Sequence, residues 1–400
     1  MTDTTQDTTI PTWPMPRSCP LLPPDRYAEL REEPPRQVRL DDGTLAWLVT
    51  RYADMRAAML NPSLSVDITL PGFPLRLPLP PDPLLHSFLR LDPPEHTRVR
   101  RMVMPEFNNT AVDGYRPAVR ELVQGLLDAV AEQPQPVDLL PAFAFPIPAL
   151  MIARILGVPE RDLDAFQEQN LALTRCDLRN ADAVDAFGAL SEYLEGLVRD
   201  KEREPSDDLI SRLVHLHVAK GEFGRDELVA MVLLLLVAGA ETTASQIALS
   251  VLTLLRHPEQ IQPMLEQPGR LGKVIDELLR YWSISQDNQV RVAKRETTLG
   301  GVPIRPGHAV VFAISAANHD DSVFTDAARF DPDRDARHHL AFGHGTHYCP
   351  GAALAKMEME IALPALFRRF PNLRLGADLV DLSFRYDTVV YGVNELPVTW

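Results

Sequence analysis

The longest apolar run in the chain, Leu228–Ala240, is thirteen residues long and follows directly on Asp226 and Glu227. A bilayer-spanning helix needs about 20 consecutive apolar residues. The run is therefore expected to lie in a helix buried within a protein core. The composition can supply that core: 45% of the 400 residues belong to the AVILMFWYC set and 24% are charged. These proportions are ordinary for a globular chain and exclude a disordered, collagenous or fibrous one.

Proline sets the boundaries of the other elements. The 36 prolines cluster at Pro11–Pro35, Pro71–Pro94 and Pro134–Pro148. Proline lacks a backbone N–H and blocks helix interiors, so these clusters are read as irregular segments, with residues 1–23 an irregular Pro-rich N-terminal segment. Elsewhere, apolar residues recur at three- and four-residue spacing. That spacing predicts helices over Tyr27–Glu33, Tyr52–Leu60, Glu95–Phe107, Ala111–Glu132, Ile147–Leu156 and Glu160–Leu173. It predicts further helices over Ala181–Glu202, Asp207–Ala219, Arg225–Arg256, Pro258–Met264, Leu271–Tyr281 and Ala352–Phe370. Strand signals are short. Val38–Leu40 and Leu45–Thr50 flank Asp42-Gly43, a hairpin turn dipeptide, and Thr298–Leu299 with Val302–Ile304 form a second hairpin candidate, followed by His308–Phe312. No repeat or Gly/Ser linker divides the chain. One mainly α (α+β) domain over residues 1–400 is expected, with small peripheral β-sheets.

Asp plus Glu number 55 against 40 for Lys plus Arg, a net charge of −15. So acidic a chain is a poor non-specific binder of nucleic acid. Cys19, Cys176 and Cys349 are too few and too scattered for a disulfide framework. Met1–Met15 lacks the basic-then-apolar pattern of a signal peptide. A cytoplasmic protein with no membrane span is expected.

The segment Phe342-Gly-His-Gly-Thr-His-Tyr-Cys-Pro-Gly351 leads into the helix predicted from Ala352. A cysteine at a helix N-terminus, near cations, is favoured as the thiolate. Three readings of Cys349 stand side by side: a buried structural thiol, a zinc ligand with His338, His339, His344 and His347, and a nucleophile paired with a histidine. The nucleophile reading does not explain Gly345 and Gly351.

Phe342, Gly345, Cys349 and Gly351 match the Phe-x-x-Gly-x-x-x-Cys-x-Gly heme loop of the cytochromes P-450, which the chain resembles. Four fixed residues at these spacings arise by chance in about 3 of 10,000 chains of this composition. The resemblance implies heme b (iron protoporphyrin IX) with the Cys349 thiolate as axial iron ligand. It runs from Pro24 to Trp400 and is strongest toward soluble, actinomycete-type bacterial heme-thiolate monooxygenases.

Other segments test the resemblance. The apolar run ends in Leu236-Val-Ala-Gly-Ala-Glu-Thr-Thr243, where a carboxylate and threonines interrupt an otherwise apolar helix. A buried carboxylate is costly without partners. The bland alternative is a helix emerging into solvent. By resemblance, Glu241 and Thr242 carry protons in oxygen activation, and Ala238–Gly239 leave room beside the heme. Glu277 and Arg280 share a helix face and, with Arg329 of Ala-Arg-Phe-Asp-Pro, resemble the family's structural charge triad. His96 and Arg100 in Asp-Pro-Pro-Glu-His-Thr-Arg-Val-Arg100, with Arg291 and His347, resemble its contacts to the heme propionates. Pro350 departs from the family pattern, which carries an aliphatic residue there. Lacking an N–H, it either removes one hydrogen bond to the sulfur and lowers the heme potential, or only shapes the loop before the helix.

Substrate-pocket walls are expected from Phe88, Leu173, Leu233, Val237, Gln286, Asn288, Gln289, Val389 and Val390. By resemblance the polar trio Gln286, Asn288 and Gln289 lies in a turn toward the pocket, where it meets amide or hydroxyl groups on the substrate or, alternatively, faces water. The resemblance implies a monomeric monooxygenase that uses O2 to oxidise a small organic substrate, an intermediate of secondary metabolism. With no flavin or iron–sulfur motif in the chain, NAD(P)H-derived electrons are expected through a ferredoxin and a ferredoxin reductase, with Arg98, Arg101 and Lys356 as docking cations. Oxidative coupling or ring closure without oxygen insertion, and a non-catalytic heme-binding sensor, are the alternatives.

Overall fold

The computed structural model describes residues 10–74, 86–162, 181–286, 289–386 and 388–400. Two compact units assemble from separate segments. The first comprises Met1–Leu75, Arg280–Asp331 and His338–Tyr348, and the second Arg76–Leu279, Pro332–Arg337 and Cys349–Trp400. Because the chain enters each unit more than once, no linker composition marks their boundary. The strands are β1 (Arg36–Arg39), β2 (Leu45–Val49), β3 (Leu64–Ser65), β4 (Val137–Asp138), β5 (Val290–Ala293), β6 (Thr297–Leu299), β7 (Val302–Ile304), β8 (Ala309–Phe312), β9 (Arg374–Leu375) and β10 (Pro397–Thr399). The α-helices are α1 (Arg26–Arg31), α2 (Tyr52–Leu60), α3 (Glu95–Val103), α4 (Asn109–Ala131), α5 (Pro146–Leu156), α6 (Ala181–Arg203), α7 (Leu209–Leu216), α8 (Arg225–Arg256), α9 (Ile261–Glu266), α10 (Arg270–Trp282), α11 (Ile314–Asn318) and α12 (Ala352–Arg369).

The first unit is organised by a five-stranded sheet in the order β1-β2-β8-β5-β3. β1 and β2 form the hairpin expected around Asp42-Gly43, with Arg36 opposite Leu48, and β2 runs parallel to β8, with Ala46 opposite Ala309. All four residues of β8 are buried, as befits a strand covered on both faces. Its side chains alternate accordingly: Val310 and Phe312 join Tyr52, Met55 and Phe324, whereas Ala309 and Val311 join Trp13, Tyr27 and Leu48. β6 and β7 pair through Gly300-Gly301, whose positive φ angles of 53° and 85° suit a two-residue hairpin loop.

The second unit is helical, with a three-stranded sheet in the order β4-β10-β9. Its centre is α8, which packs against α5, α6, α7 and α12. Leu228, Leu233, Leu236, Leu249, Leu252 and Leu254 of α8 are all at most 1% exposed, and each buried side chain contributes about 1.5–3 kcal/mol. α8 is long and apolar enough to cross a membrane, but 72% of its most apolar window is buried in the protein, as expected of a core helix. At its N-terminus the Glu227 carboxylate accepts the Gly224 N–H at 2.7 Å, satisfying an otherwise unpaired donor.

Some boundaries differ from those predicted. The helix expected over Glu95–Phe107 stops at Val103, and Met104–Glu106 form a 3-10 turn around Pro105. The helix expected over Asp207–Ala219 is reduced to α7 and a 3-10 turn that ends at Gly221, φ 71°. The expected Glu160–Leu173 helix starts with a 3-10 turn at Glu160–Asp162 and then leaves the described residues. Strands β3, β4, β5, β9 and β10, helix α11 and a π-helical turn at Leu140–Ala144 were not foreseen.

Candidate active site

Helix α8 is buried from Leu228 to Leu236 and again from Thr243 to Leu254. Between these stretches Ala240 is buried, Val237, Gly239, Glu241 and Thr242 are half-buried, and Ala238 is exposed. Residues 237, 238, 241 and 242 lie about one turn apart, so they form one small accessible face in the middle of a core helix. Close packing of α5 on the opposite side explains the small residues. A Cβ at Gly239 would lie 3.4 Å from Ile152 Cγ1, and Ala240 and Ala244 pack on Phe145 and Ala149. Thr242 Oγ1 donates to the Ala238 carbonyl at 2.7 Å, the i−4 bond open to a mid-helix threonine. The Glu241 carboxylate pairs through Oε1 with Arg385 Nη1 at 3.1 Å. Burial pushes Glu241 up to about 7, against the opposing pull of Arg385. Helix emergence is thus ruled out: the acid sits in a window, with buried helix on either side.

Cys349 follows a loop whose geometry depends on Gly345. That residue has φ 74°, and a Cβ on it would lie 2.9 Å from Leu60 Cδ2 and 3.2 Å from the Met59 carbonyl. Phe342 is in ring contact with Tyr348 and His339, at centroid distances of 6.3 and 5.7 Å. Gly351 has an ordinary φ of −81°, and its role is to bring its N–H to the sulfur. Burial raises the Cys349 thiol above its usual range, while hydrogen bonds from the Gly351 and Ala352 N–H groups and the charge of Arg100 act the other way. Desolvation outweighs the helix-end potential, so position alone does not make the expected thiolate. A coordinated metal ion does so outright. Pro350 supplies no donor, yet the sulfur keeps two from the following residues.

His96 and Arg100 lie one turn apart on α3. His96 is 1% exposed, its ring edge-on to Phe88 at 6.1 Å, and the Arg100 guanidinium lies 5.8 Å from the same ring. Burial, reinforced by Arg100, lowers His96 to about 4. The imidazole is therefore neutral near pH 7. It offers a carboxylate an N–H donor. Phe88 is 5% exposed and serves as the platform beneath this pair, not as an open pocket wall. In the first unit, the Arg291 guanidinium lies 5.6 Å from the Phe312 ring and its Nη1 donates to the Val290 carbonyl at 2.7 Å. His347 closes a 3-10 turn at Gly345–His347 and is half-buried.

Glu277 and Arg280 are both fully buried. Arg280 donates to the carbonyls of Asn318, Ala327 and Arg329 at 2.8, 2.9 and 3.3 Å. Glu277 Oε1 pairs with Arg334 Nε at 3.4 Å, and the Arg334 side chain is only 9% exposed. Arg329 itself is exposed and gives its backbone carbonyl, so Arg334 is a buried cation that sequence reasoning passed over. Of the expected pocket residues, Leu233 is packed in the core at 1% exposure and the accessible face begins one turn later at Val237. Gln286, Gln289 and Val389 are half-buried, and Val390 is buried with its carbonyl accepting from Thr388. Leu173 and Asn288 lie outside the described residues. Among the described residues, no group of three or more His, Cys, Asp or Glu converges as a metal site. A zinc site around His338, His339, His344 and His347 therefore lacks its ligand set.

The sequence matches the family described as cytochrome P-450 over residues 173–268 and 270–374. It is 42% identical over 391 residues to pentalenic acid synthase of Streptomyces avermitilis, covering 97% of each chain. It is also 42% identical over 412 residues to vitamin D3 dihydroxylase of Streptomyces griseolus, covering 100% of both. The chain belongs to the cytochrome P-450 family. The solved structure of mycinamicin VIII C21 methyl hydroxylase from Micromonospora griseorubida, bound to mycinamicin VIII, matches with a TM-score of 0.92 and 41% identity, over 98% of this chain and 100% of that one.

As a cytochrome P-450 the protein is a heme-dependent monooxygenase, and its residues fit heme b. Cys349 offers one soft sulfur donor with two N–H groups directed at it, which suits iron. Arg100 and the neutral His96 offer a guanidinium and an N–H on one helix face, which suits a carboxylate. Beyond the expected residues, the structure adds Arg385, Ser245 and Gly392 around Glu241. The signal in the sequence was faint: one arginine, Arg385, between Phe384 and Tyr386.

Proposed function

We propose that this cytochrome P-450 inserts one oxygen atom from O2 into a small natural-product intermediate, with Cys349 as the iron ligand and Glu241 and Thr242 moving protons. Bound heme would supply the activation of dioxygen, which no side chain here can perform. His96, Arg100, Arg291 and His347 would hold its propionates, and Ala238 would leave room at its face. Glu241, with its value at about 7, is close to half protonated near neutral pH, so it can both take up and release a proton there. The Thr242 hydroxyl hydrogen is engaged by the Ala238 carbonyl. In this geometry Thr242 presents an acceptor to the window, and the donor of the pair is protonated Glu241. The observation that carries the reading is the single sulfur of Cys349, held by the Gly351 and Ala352 N–H groups beside Arg100.

Relatives named as hydroxylases support oxygen insertion over coupling, ring closure or sensing. Electrons would come from a ferredoxin and its reductase in the cytoplasm, to a monomeric enzyme. Two of the expected docking cations are already neutralised: Arg98 pairs with Glu95 and Glu227 at 2.7 and 3.0 Å, and Lys356 with Asp276 at 2.6 Å. Arg101 is the exposed cation of that group.

The reduced, carbon-monoxide difference spectrum of the purified protein tests the ligand. The red-shifted Soret band of thiolate-ligated heme is expected, and Cys349→Ser should abolish it while leaving the far-UV circular dichroism unchanged. A heme protein without that band, or one that keeps it in Cys349→Ser, would refute the assignment.

A further inference from the structure

Arg385 lies on the C-terminal segment, more than 140 residues beyond the acid it meets. The segment folds back on itself: Arg385 N–H donates to the Gly392 carbonyl at 2.8 Å, and Phe384 bridges antiparallel to Val393. Phe384, Tyr386 and Tyr391 stack around the turn with ring centroids 6.0–6.3 Å apart. This clamp holds the Arg385 side chain at 7% exposure, with its guanidinium directed at one face of α8.

There the fork divides. Nη1 reaches Glu241 Oε1 at 3.1 Å and Nη2 reaches Ser245 Oγ at 2.6 Å. Glu241 and Ser245 are four residues apart, so one planar guanidinium spans one helical turn and fixes both its own orientation and that of the carboxyl. Room for it comes from Gly392. A Cβ there would lie 2.3 Å from Arg385 Nη2, 3.0 Å from Cζ and 3.0 Å from Ser245 Oγ. The φ of Gly392 is not in the left-handed region, so this glycine is needed for space and not for backbone conformation. A carboxyl on α8 and, more than 140 residues further on, a guanidinium and a gap thus specify one another.

We propose that Arg385 is a positioning residue for the oxygen-activating chemistry, anchoring the Glu241 carboxyl in the accessible window of α8, and that Gly392 is the space that admits it. The proposal rests on the reading of Glu241 as a proton carrier. Phe145 and, from α5, Ala149 and Ile152 present apolar side chains to this part of α8, and among the described residues Arg385 is the charged side chain that acts on the carboxyl. Burial and Arg385 pull in opposite directions, and the balance leaves Glu241 at about 7. Without the guanidinium, burial acts alone. The carboxyl then stays protonated to higher pH and loses its anchor, so it becomes a poorer proton acceptor near neutrality.

The test compares wild type with Arg385→Met, Arg385→Lys and Gly392→Ala, all loaded with heme. Infrared titration follows the protonated-carboxyl band that Glu241→Gln removes. Arg385→Met is expected to raise its midpoint by about 1–3 pH units, Gly392→Ala to raise it less, and Arg385→Lys to restore most of the wild-type value. The pH profile of NADPH oxidation with a surrogate ferredoxin and reductase should move with the band. A midpoint unmoved in both Arg385→Met and Gly392→Ala overturns the positioning role. If the band moves but Glu241→Gln leaves the turnover profile unchanged, the proton-carrier reading fails instead, and Arg385 is a structural partner only.

Discussion

Replacing Glu358 by glutamine should stabilise this protein at alkaline pH and not at acidic pH. Glu358 lies on α12, nine residues after Cys349, at 1% exposure. Its Oε1 has no hydrogen-bond partner among the described residues. Burial alone pushes it from 4.5 up to about 8. The folded carboxyl therefore keeps its proton over a range where the unfolded one has released it. Stability from this group is fully present below pH 4.5 and is lost as pH rises toward 8, because over that window the folded state binds the extra proton. A gap of about 3.5 in pKa, at about 1.36 kcal/mol each, amounts to about 5 kcal/mol by pH 8 and about 3 kcal/mol by pH 7. Glutamine is neutral in both states and removes the whole term. For a chain of this length about 5 kcal/mol corresponds to about 6 °C in Tm. The amide is as buried as the acid, so it carries its own constant cost. The informative quantity is the change with pH of the Tm difference between Glu358→Gln and wild type. Melts at half-unit steps from pH 5 to 8.5 should show that difference growing by several degrees. A difference that stays constant across the range would refute the assignment of a neutral, buried Glu358.

Two further outcomes follow from the packing. Lys201 Nζ reaches Asp208 Oδ2 and Ser206 Oγ, both at 2.6 Å, and the Asp208 side chain is 3% exposed. Lys201→Met leaves that carboxylate buried without its counter-charge and should cost about 3–5 kcal/mol in urea unfolding. A loss below about 1 kcal/mol would show that the Ser211 N–H and the serine hydroxyls satisfy Asp208 alone. Gly345→Ala combines a φ of 74° with a Cβ 2.9 Å from Leu60, and should cost about 1–3 kcal/mol and lower heme retention on gel filtration. Unchanged stability would mean that the loop relaxes around the methyl group.

The elements that the sequence alone determined are those encoded within a few turns of chain. The helix over Tyr52–Leu60 and that over Arg225–Arg256 have the predicted boundaries, because apolar spacing and the absence of proline act locally. Asp42-Gly43 and Gly300-Gly301 turn their hairpins for the same reason, and the Cys349 loop is legible because its ten residues carry their own spacing. Short strands such as β3 and β9 were invisible: two residues carry no period, and pairing with β5 and β10 decides them. The charges depended most on the tertiary structure. Burial makes His96 neutral and raises the Cys349 thiol, and it selects Arg334 and Arg385 as partners of acids far away in the sequence. Desolvation depends on everything packed around a group, and the strength of an ion pair on a distance that chain order does not contain. Helices, turns and the shape of the Cys349 loop therefore follow from neighbouring residues, whereas the protonation and partners of the site follow only from the folded core.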